Sequence, residues 1–381
     1  MSLIERVNKG LRERRQRLLE GKVNCIPSPF NRFSNDFIGL EQGCYYTITS
    51  FTKGGKSQFT SYTFIFKALL YCYYNKNNEV KLKILYFPLE ETPERIMTRF
   101  QSWLLFEISK GKTRICPRDL RSTTDPCPEE ILNRLEEKDI KDILEFFEEH
   151  VVFPQESPNP TGIFKYCKRY AEEHGTVHTK IGKYKDEFGQ VKEREVFDRY
   201  EQDDPNEFRL ILIDTINLID CERGMTLKQS MDKMSEYLAK YLRNRYNFSP
   251  VVIQQQAFEQ EGNEAFKLGK VRPSVAGLGD SKYTSRDSNV VLGLFSPARF
   301  GISNYLGYDI TKFKDRIRFL EVIVNRDGEM GGICPLYFDG AVCDFKELPR
   351  PEEKESLTKW YKYIEGLSQK AKSFFIKVFR K

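Results

Sequence analysis

The stretch TITSFTKGGKSQFTSY, residues 47–62, joins an apolar run to a glycine-containing loop and then to a helical pattern. The loop ends in GKS, as a phosphate-binding loop does, but Ser50 stands where the usual pattern has its first glycine. In such a loop the glycines let backbone N–H groups turn toward phosphates, the lysine reaches the β- and γ-phosphates, and the serine ligates Mg²⁺. The stretch therefore predicts a nucleotide site, with a Gly-Gly turn beside exposed polar residues as the alternative. The predicted nucleotide-binding residues are Ser50, Phe51, Thr52, Lys53, Gly54, Gly55, Lys56 and Ser57, of which Ser57 is also a predicted metal ligand.

The composition indicates a globular protein with a sizeable core. The 381 residues are 40% hydrophobic and 30% charged, and the net charge of +6 permits an acidic polymer as a partner without requiring one. Nine cysteines without a Cys-x-x-Cys pair predict free thiols in a reducing compartment, not a disulfide scaffold or a zinc site. The charged N-terminal pattern and the short apolar runs predict an intracellular protein that does not span a membrane.

Apolar strand candidates alternate with helical patterns through most of the chain. This alternation predicts an α/β fold with a mostly parallel central sheet and helices on both faces. A final hairpin is predicted to turn at Asp339-Gly340. The candidate strands are 44–49, 83–89, 151–153, 208–216, 249–255, 289–295 and 319–325, and the candidate helices are 57–74, 93–109, 128–149, 160–174 and 227–246.

Three segments fall outside the main domain, which we expect to occupy residues 26–349. Residues 1–25 contain a linker-like helix with a narrow apolar stripe, a pattern typical of an exposed helix that docks on another surface, for example that of a neighbouring subunit. Residues 176–207 alternate charged with apolar residues, which predicts an exposed hairpin inserted into the domain. Residues 350–381 predict a basic C-terminal helical tail.

Two acidic residues are placed to do chemistry beside the loop. Asp214 ends the apolar run RLILID, where a carboxylate can hold the Mg²⁺ hydration shell, although an Asp there can also cap the next turn. Glu90 follows a strand end and precedes a helix that starts at Thr92-Pro93, so it could activate the attacking water as a general base. The alternative for Glu90 is a carboxylate that complements the helix dipole.

Two further motifs suggest sensing and action on a neighbour. Gln256, at the end of an apolar strand, could sense hydrolysis and pass it to the long loop 259–283. Arg326, at a strand end before a turn, could act as an arginine finger or be an ordinary turn residue. Basic residues in or beside the long loop could contact a nucleic-acid backbone or be solvated; they are Lys267, Lys270, Arg272 and Lys282.

The order and spacing of these motifs resemble the RecA-like motor domain of replicative hexameric helicases of the DnaB family, from about Ile26 to Leu348. The resemblance implies an ATPase that uses ATP and Mg²⁺, assembles as a hexameric ring and translocates on single-stranded DNA as a helicase. It also implies a primase or a loader as a possible partner. It places the catalytic glutamate on Glu90, the Walker-B aspartate on Asp214, the sensing glutamine on Gln256 and the arginine finger on Arg326.

The chain departs from the family pattern at three places. Val324 stands where the family commonly has a second basic residue, and Thr52 stands where it has a proline. The family's N-terminal helical domain is not represented, which suggests a phage-type member acting in the host cytoplasm. A RecA-like DNA-binding ATPase for recombination or regulation, without unwinding activity, is the alternative function. A non-hydrolysing assembly factor is a third.

Overall fold

A computed structural model describes residues 2–185, 187–257, 271–279 and 281–378, with side chains described as far as residue 367. Fifteen strands lie in these ranges, most of them built on the apolar runs of the sequence. In chain order they are β1 Cys25–Pro27, β2 Gly39–Glu41, β3 Tyr46–Ser50, β4 Lys81–Pro88, β5 Val151–Val152, β6 Gly175–Lys185, β7 Val191–Gln202, β8 Glu207–Asp214, β9 Ser249–Gln255, β10 Val290–Phe295, β11 Asn304–Tyr305, β12 Tyr308–Asp309, β13 Ile317–Asn325, β14 Ile333–Asp339 and β15 Asp344–Glu347.

Nine of these strands form the central sheet, in the order β15-β14-β13-β10-β3-β9-β8-β4-β5. The strands from β10 to β5 in this order run parallel, and β13, β14 and β15 continue the sheet antiparallel. The predicted α/β class, the mostly parallel sheet and the C-terminal hairpin are therefore confirmed. Because β3, β4, β8 and β9 are parallel, the loops that follow them meet at one edge of the sheet, where ligands of such sheets bind.

The helices follow the predicted pattern with local differences. The helices over 56–74 and 227–246 each contain a π-helical segment, Ser61–Phe66 and Tyr237–Arg243. The other helical elements are α1 Leu3–Leu19, α2 Lys56–Thr60, α3 Lys67–Tyr74, α4 Pro93–Ile108, α5 Pro117–Leu120, α6 Glu129–Glu136, α7 Lys138–His150, α8 Pro160–Glu173, α9 Leu227–Glu236, α10 Asn244–Tyr246, α11 Tyr283–Asp287, α12 Ile310–Phe313 and α13 Lys354–Val378, with 3₁₀ turns at Asn31–Phe33, Lys76–Asn78, Ile216–Leu218, Pro297–Phe300 and Lys314–Arg316.

The prediction of one helix over 128–149 is wrong, because the chain breaks it at Glu137. Glu137 has an extended backbone, with φ −65° and ψ 142°, and separates α6 from α7. Arg134 bridges the break and donates two hydrogen bonds of 2.6 Å to Asp139. A local side-chain contact of this kind leaves no apolar signature in the sequence.

The core lies on both faces of the central sheet. On one face the rings of Phe66, Phe100 and Trp103 pack at centroid separations of 5.1 to 5.9 Å, and all three are buried. On the other face Met231 and Leu238 are buried against the sheet. Truncating one such aromatic to alanine costs about 3–5 kcal/mol, so this packing contributes strongly to the stability of the fold.

Helix α1, the β6–β7 hairpin and helix α13 lie outside the central sheet and the helices that connect its strands. Every residue of α1 is at least partly exposed, and Leu3, Ile4 and Leu11 expose most of their surface. Strands β6 and β7 form an antiparallel hairpin, whose tip carries the exposed Phe188. The first half of α13 packs on the sheet through Leu357 and others. Among the described helices, none combines the length and the apolar character needed to cross a bilayer.

Candidate nucleotide site

The loop between β3 and α2 has the backbone of a phosphate cradle. Gly55 has φ +96°, in the left-handed region that favours glycine. A Cβ on Gly54 would lie 2.6 Å from the Ser50 Oγ, so Gly54 is required for space. Ser50 itself ends β3 in an extended strand and donates to the Phe51 carbonyl at 2.9 Å. A serine fits where the usual pattern has glycine, because this position needs no left-handed backbone.

Lys56 and Ser57 begin the helix that follows this cradle. The Lys56 side chain is largely buried, and burial lowers the pKa of its ammonium, while Glu90 and Asp214 partly offset the effect. The Ser57 Oγ donates to the Asp214 Oδ1 at 3.0 Å. The loop lysine, the loop serine and the aspartate of β8 therefore meet at the same edge of the sheet.

Asp214 is a buried carboxylate with few compensating charges. It is 3% exposed, and its second oxygen accepts from the Tyr86 hydroxyl at 3.3 Å. Burial raises the pKa of Asp214 to about 6, the Ser57 hydrogen bond lowers it, and the Glu90 charge raises it further. A bound cation would satisfy this carboxylate.

The residues present fit Mg²⁺ held together with a nucleotide. Within the described ranges there is no group of three or more His, Cys, Asp or Glu that could hold a metal alone. Mg²⁺ is usually bound by one or two protein oxygens, with phosphates and water completing the octahedron. Ser57 and Asp214 supply a hydroxyl and a carboxylate for that arrangement.

Glu90 lies just beyond β4, whose last residue, Pro88, pairs with Asp214 at the end of β8. Glu90 therefore follows at the same edge of the sheet, and its charge raises the pKa of both Lys56 and Asp214. The adjacent Glu91 forms a close ion pair with Arg99 instead. The two neighbouring glutamates therefore have different surroundings, and the exposed Glu90 is the one placed beside Lys56 and Asp214.

Two consecutive glutamines at the end of β9 contact different structures. Gln256 is buried; its Nε2 donates to the Thr49 Oγ1 at 2.9 Å and to the Ser274 carbonyl at 3.1 Å. Gln255 donates through Nε2 to the Thr52 Oγ1 of the phosphate loop at 2.6 Å. Because neighbouring strand residues point to opposite faces, Gln256 joins β3 to the segment 271–279 while Gln255 joins β9 to the phosphate loop.

Sequence reasoning selected Gln256 and missed Gln255. Strand β9 lies between β3, which leads into the phosphate loop, and β8, which ends at Asp214. The Gln255 N–H donates to the Asn217 Oδ1 at 3.0 Å, which ties the end of β9 to the turn after Asp214. The side-chain alternation in a strand was the signal that could have drawn attention to Gln255.

The buried Arg318, which is not among the predicted site residues, binds the backbone of the phosphate loop. Arg318 is 1% exposed, and its Nε donates to the Gly54 carbonyl at 2.8 Å. Its guanidinium lies 4.6 Å from the Phe338 ring centroid and pairs with Asp315 at 3.0 Å. Burial lowers the pKa of this guanidinium. An arginine inside the apolar run IRFLEVIVN was the available signal.

Arg299 is a second missed cation near the loop. It lies in the turn after β10, exposed to solvent, and the neighbouring Phe300 packs on Phe51 with ring centroids 5.2 Å apart. The charge of Arg299 lowers the pKa of both Lys56 and Arg318. The site of one chain thus already has an exposed arginine of its own.

Arg326 lies on the opposite edge of the sheet from the phosphate loop. Its neighbour Asn325 pairs with Val290, and Val290 pairs with Tyr46 at the start of β3. The loop follows the far end of β3, about 13 Å away at roughly 3.3 Å per residue. Strand β13 therefore presents Arg318 to the loop of its own chain and the exposed Arg326 to the other side.

Two of the four candidate DNA-binding residues, Arg272 and Lys282, lie within the described ranges. Lys267 and Lys270 lie outside the described residues. Arg272 forms an ion pair of 2.6 Å with Glu321, and Lys282 is exposed just before α11. Of the described pair, Lys282 is the more exposed and Arg272 is already paired with an acid.

Comparisons with known proteins identify the fold. No family model and no curated sequence matches the chain. The structure is similar to that of a DnaB-like replicative helicase solved for its interactions with primase, with a TM-score of 0.58, 12% identity, and coverage of 91% of this chain and 66% of that one. It is also similar to a second solved structure, that of an ATPase domain, with a TM-score of 0.59, 13% identity, and coverage of 91% of this chain and 99% of that one.

These likenesses define the class of fold. The chain has an α/β fold with a large, mostly parallel sheet and a loop-and-strand site at its edge. More particularly, it has the RecA-like fold of DnaB-like helicase ATPase domains, as the motif order implied. The predicted resemblance is confirmed at the level of the fold.

Proposed function

We propose that this protein is a Mg²⁺-dependent ATPase that works as a DnaB-like replicative DNA helicase on single-stranded DNA. The observation that carries the ATPase part is the meeting of Ser57, Asp214 and Lys56, with Glu90 beside them. The helicase part rests on the fold shared with DnaB-like helicase domains. The work would take place in the cytoplasm, that of a host if the chain is phage-encoded.

Each residue of the site has a proposed role. Residues 50–57 would wrap the phosphates, and Lys56 would bind the β- and γ-phosphate oxygens. Ser57 and Asp214 would hold Mg²⁺, which when bound neutralises charge on the phosphates. Glu90 would accept a proton from the attacking water as general base, since it is the exposed carboxylate beside Lys56.

Gln256 would couple the site to DNA. Its amide joins Thr49 of β3 to Ser274 of the segment 271–279, so a displacement of one of these residues would be transmitted to the other. The proposed DNA contacts are Lys267, Lys270, Arg272 and Lys282, which belong to the long loop 259–283.

The position of Arg326 supports a ring of subunits. An exposed arginine on the edge opposite its own phosphate loop can reach such a loop only on another copy. Head-to-tail contacts of this kind close into rings where the rotation between subunits closes and extend into filaments where it does not, and we propose a closed hexamer. The exposed apolar stripe of α1 would pack on the adjacent subunit, and a primase or a loader is a further possible partner.

The test combines ATP hydrolysis with strand displacement. We expect the wild-type chain to hydrolyse ATP faster with single-stranded DNA and to open a forked duplex. Lys56→Ala should lose both activities, whereas Lys141→Ala, which removes an exposed lysine on α7, should keep them. Full DNA-stimulated hydrolysis by Lys56→Ala would refute the proposal. Hydrolysis without strand displacement would instead support the RecA-like DNA-binding ATPase.

A further inference from the structure

Three arginines converge at the sheet edge opposite the phosphate loop. Arg326 comes from the end of β13, Arg286 from α11 and Arg243 from the end of the π-helical segment Tyr237–Arg243. The Arg326 guanidinium donates to the Arg286 carbonyl, and the Arg326 N–H donates to the Asn289 carbonyl at 3.0 Å. Cations from three separate elements are therefore held at one edge.

Arg286 is the second exposed cation of this cluster. Its side chain is 55% exposed, and its guanidinium lies 3.7 Å from the centroid of the Tyr283 ring. Its Nε also contacts the Asp287 Oδ1 at 3.0 Å. Stacking on a ring leaves the edge of the planar guanidinium available to two oxygens of an acceptor such as phosphate.

Arg243 uses its guanidinium to bind the backbone and a side chain of the neighbouring turn. Its Nη1 donates to the Asp287 carbonyl at 2.9 Å and to the Asn289 Oδ1 at 2.8 Å. Burial lowers the pKa of Arg243, and the nearby charge of Arg326 lowers it further. Arg243 thus holds the turn between α11 and β10, on which Arg326 also rests.

Strand β13 brings only one arginine to this edge. Two positions before Arg326 the strand has Val324, which pairs with Val291 of β10. Any second positive charge beside Arg326 therefore has to come from another element. Arg286 is placed to supply one, because its side chain is exposed and its backbone carbonyl accepts a hydrogen bond from the Arg326 guanidinium.

We propose that Arg286 acts together with Arg326 on the phosphates of ATP bound to the neighbouring subunit. This inference rests on the proposed ring ATPase. The two guanidinium groups would bind the γ-phosphate oxygens as a pair, and the Arg286 edge that contacts Asp287 would exchange that carboxylate for phosphate. Tyr283 holds the Arg286 guanidinium in place before the neighbour arrives.

The first arm of the test measures steady-state ATP hydrolysis with single-stranded DNA. Arg286→Ala should lower kcat by about 100- to 1,000-fold, as the loss of one transition-state donor does, and leave KM within about 2-fold. Arg286→Lys should recover part of the loss, because it keeps the charge without the planar fork. Arg245→Ala, which also removes an exposed arginine stacked on a tyrosine, at 4.7 Å from the Tyr241 ring, should behave as wild type.

The second arm mixes variants, so that a role across the interface is separated from a role within one subunit. Lys56→Ala subunits keep the arginine pair, and Arg286→Ala subunits keep the phosphate loop. An equimolar mixture should regain about a quarter of wild-type kcat, the share of interfaces that random mixing completes. A mixture of Arg286→Ala with Arg326→Ala should regain nothing, because each interface then lacks one arginine.

The outcomes separate this inference from the proposed function. Wild-type kcat in Arg286→Ala, or no gain in the mixture with Lys56→Ala, overturns the role of Arg286 while the wild-type ATPase stands. A wild-type chain that does not hydrolyse ATP overturns the proposed function and this inference with it. Size-exclusion profiles of every variant should match wild type, and a lost oligomer in Arg286→Ala alone would make Arg286 an assembly residue and refute the proposal.

Discussion

Replacing Asp214 with Asn is expected to stabilise the nucleotide-free protein while abolishing ATP hydrolysis. The ordinary pKa of an aspartate is 3.8, and burial raises that of Asp214 to about 6. The folded state therefore binds more protons than the unfolded chain between these values. The stability contributed by this group is complete below pH 3.8 and is lost as pH rises through about 6.

The size of the effect follows from the same two values. The difference between 3.8 and about 6 corresponds to about 3 kcal/mol that the charged carboxylate costs the folded state. Asparagine removes this cost but weakens the contacts with Ser57 and Tyr86, so we expect a net gain of about 1–3 kcal/mol at neutral pH. For 381 residues this raises Tm by about 1–4 °C.

The assay is thermal and chemical unfolding of both proteins across pH, first without nucleotide. The advantage of Asp214→Asn should grow by about 1 kcal/mol between about pH 5 and about pH 7.5. Mg²⁺ and ATP should then raise the Tm of wild type much more than that of the variant. Asp139→Asn is the matched control, since Arg134 lowers the pKa of that exposed aspartate and its loss should not stabilise the fold at neutral pH.

Two results would refute this reasoning about the site. One is an Asp214→Asn protein that is no more stable than wild type at neutral pH. The other is a stability difference that does not depend on pH, which would mean that the gain comes from packing and not from the buried charge. Equal stabilisation of both proteins by Mg²⁺ and ATP would remove Asp214 from the proposed metal site.

Three further predictions concern the supports of the phosphate loop. Arg318→Met should raise the ATP dissociation constant about 10-fold and lower the free energy of unfolding by about 1–3 kcal/mol, because the Gly54 carbonyl loses its donor; equilibrium nucleotide binding and denaturant unfolding measure both. Gly55→Ala should weaken ATP binding through about 1–3 kcal/mol of backbone strain at φ +96°, whereas Gly10→Ala, where a Cβ meets open space, should bind ATP normally; unchanged affinity in Gly55→Ala would contradict the cradle. Gln255→Ala and Thr52→Ala should each lower kcat and so raise the activation free energy of ATP hydrolysis. In the double variant this increase should be about 1 kcal/mol smaller than the sum of the two single increases. Additive increases would show that the 2.6 Å contact has no role in turnover.

Much of the fold could be predicted because the sheet is built from buried strands. The run RLILID matches β8, Glu207–Asp214, and the run SPVVIQQ matches β9, since both must be apolar on two faces. The loop at 50–57 could be placed from its short-range pattern, and Asp214 from its place at a strand end. These signals are local, so a single sequence contains them.

The supports of the site could not be predicted, because their partners are distant in sequence. Arg318 lies 264 residues from Gly54, and the sequence alone does not specify that β13 brings them together. The choice between Gln255 and Gln256 depends on which face of β9 looks toward the phosphate loop. The break at Glu137 likewise depends on side-chain contacts rather than on periodicity.

Strand β13 gives the proposed ring a physical link between adjacent sites. Arg318 near its start binds the Gly54 carbonyl, and Arg326 follows its other end, eight residues or about 27 Å further along. Both flanking strands, β10 and β14, pair with β13, so it is held within the sheet and not at an edge. A change in one phosphate loop would then reach the arginine offered to the next subunit through a strand that cannot easily bend. By linkage, the occupancy of the neighbouring site must act back on the first loop with the same coupling free energy.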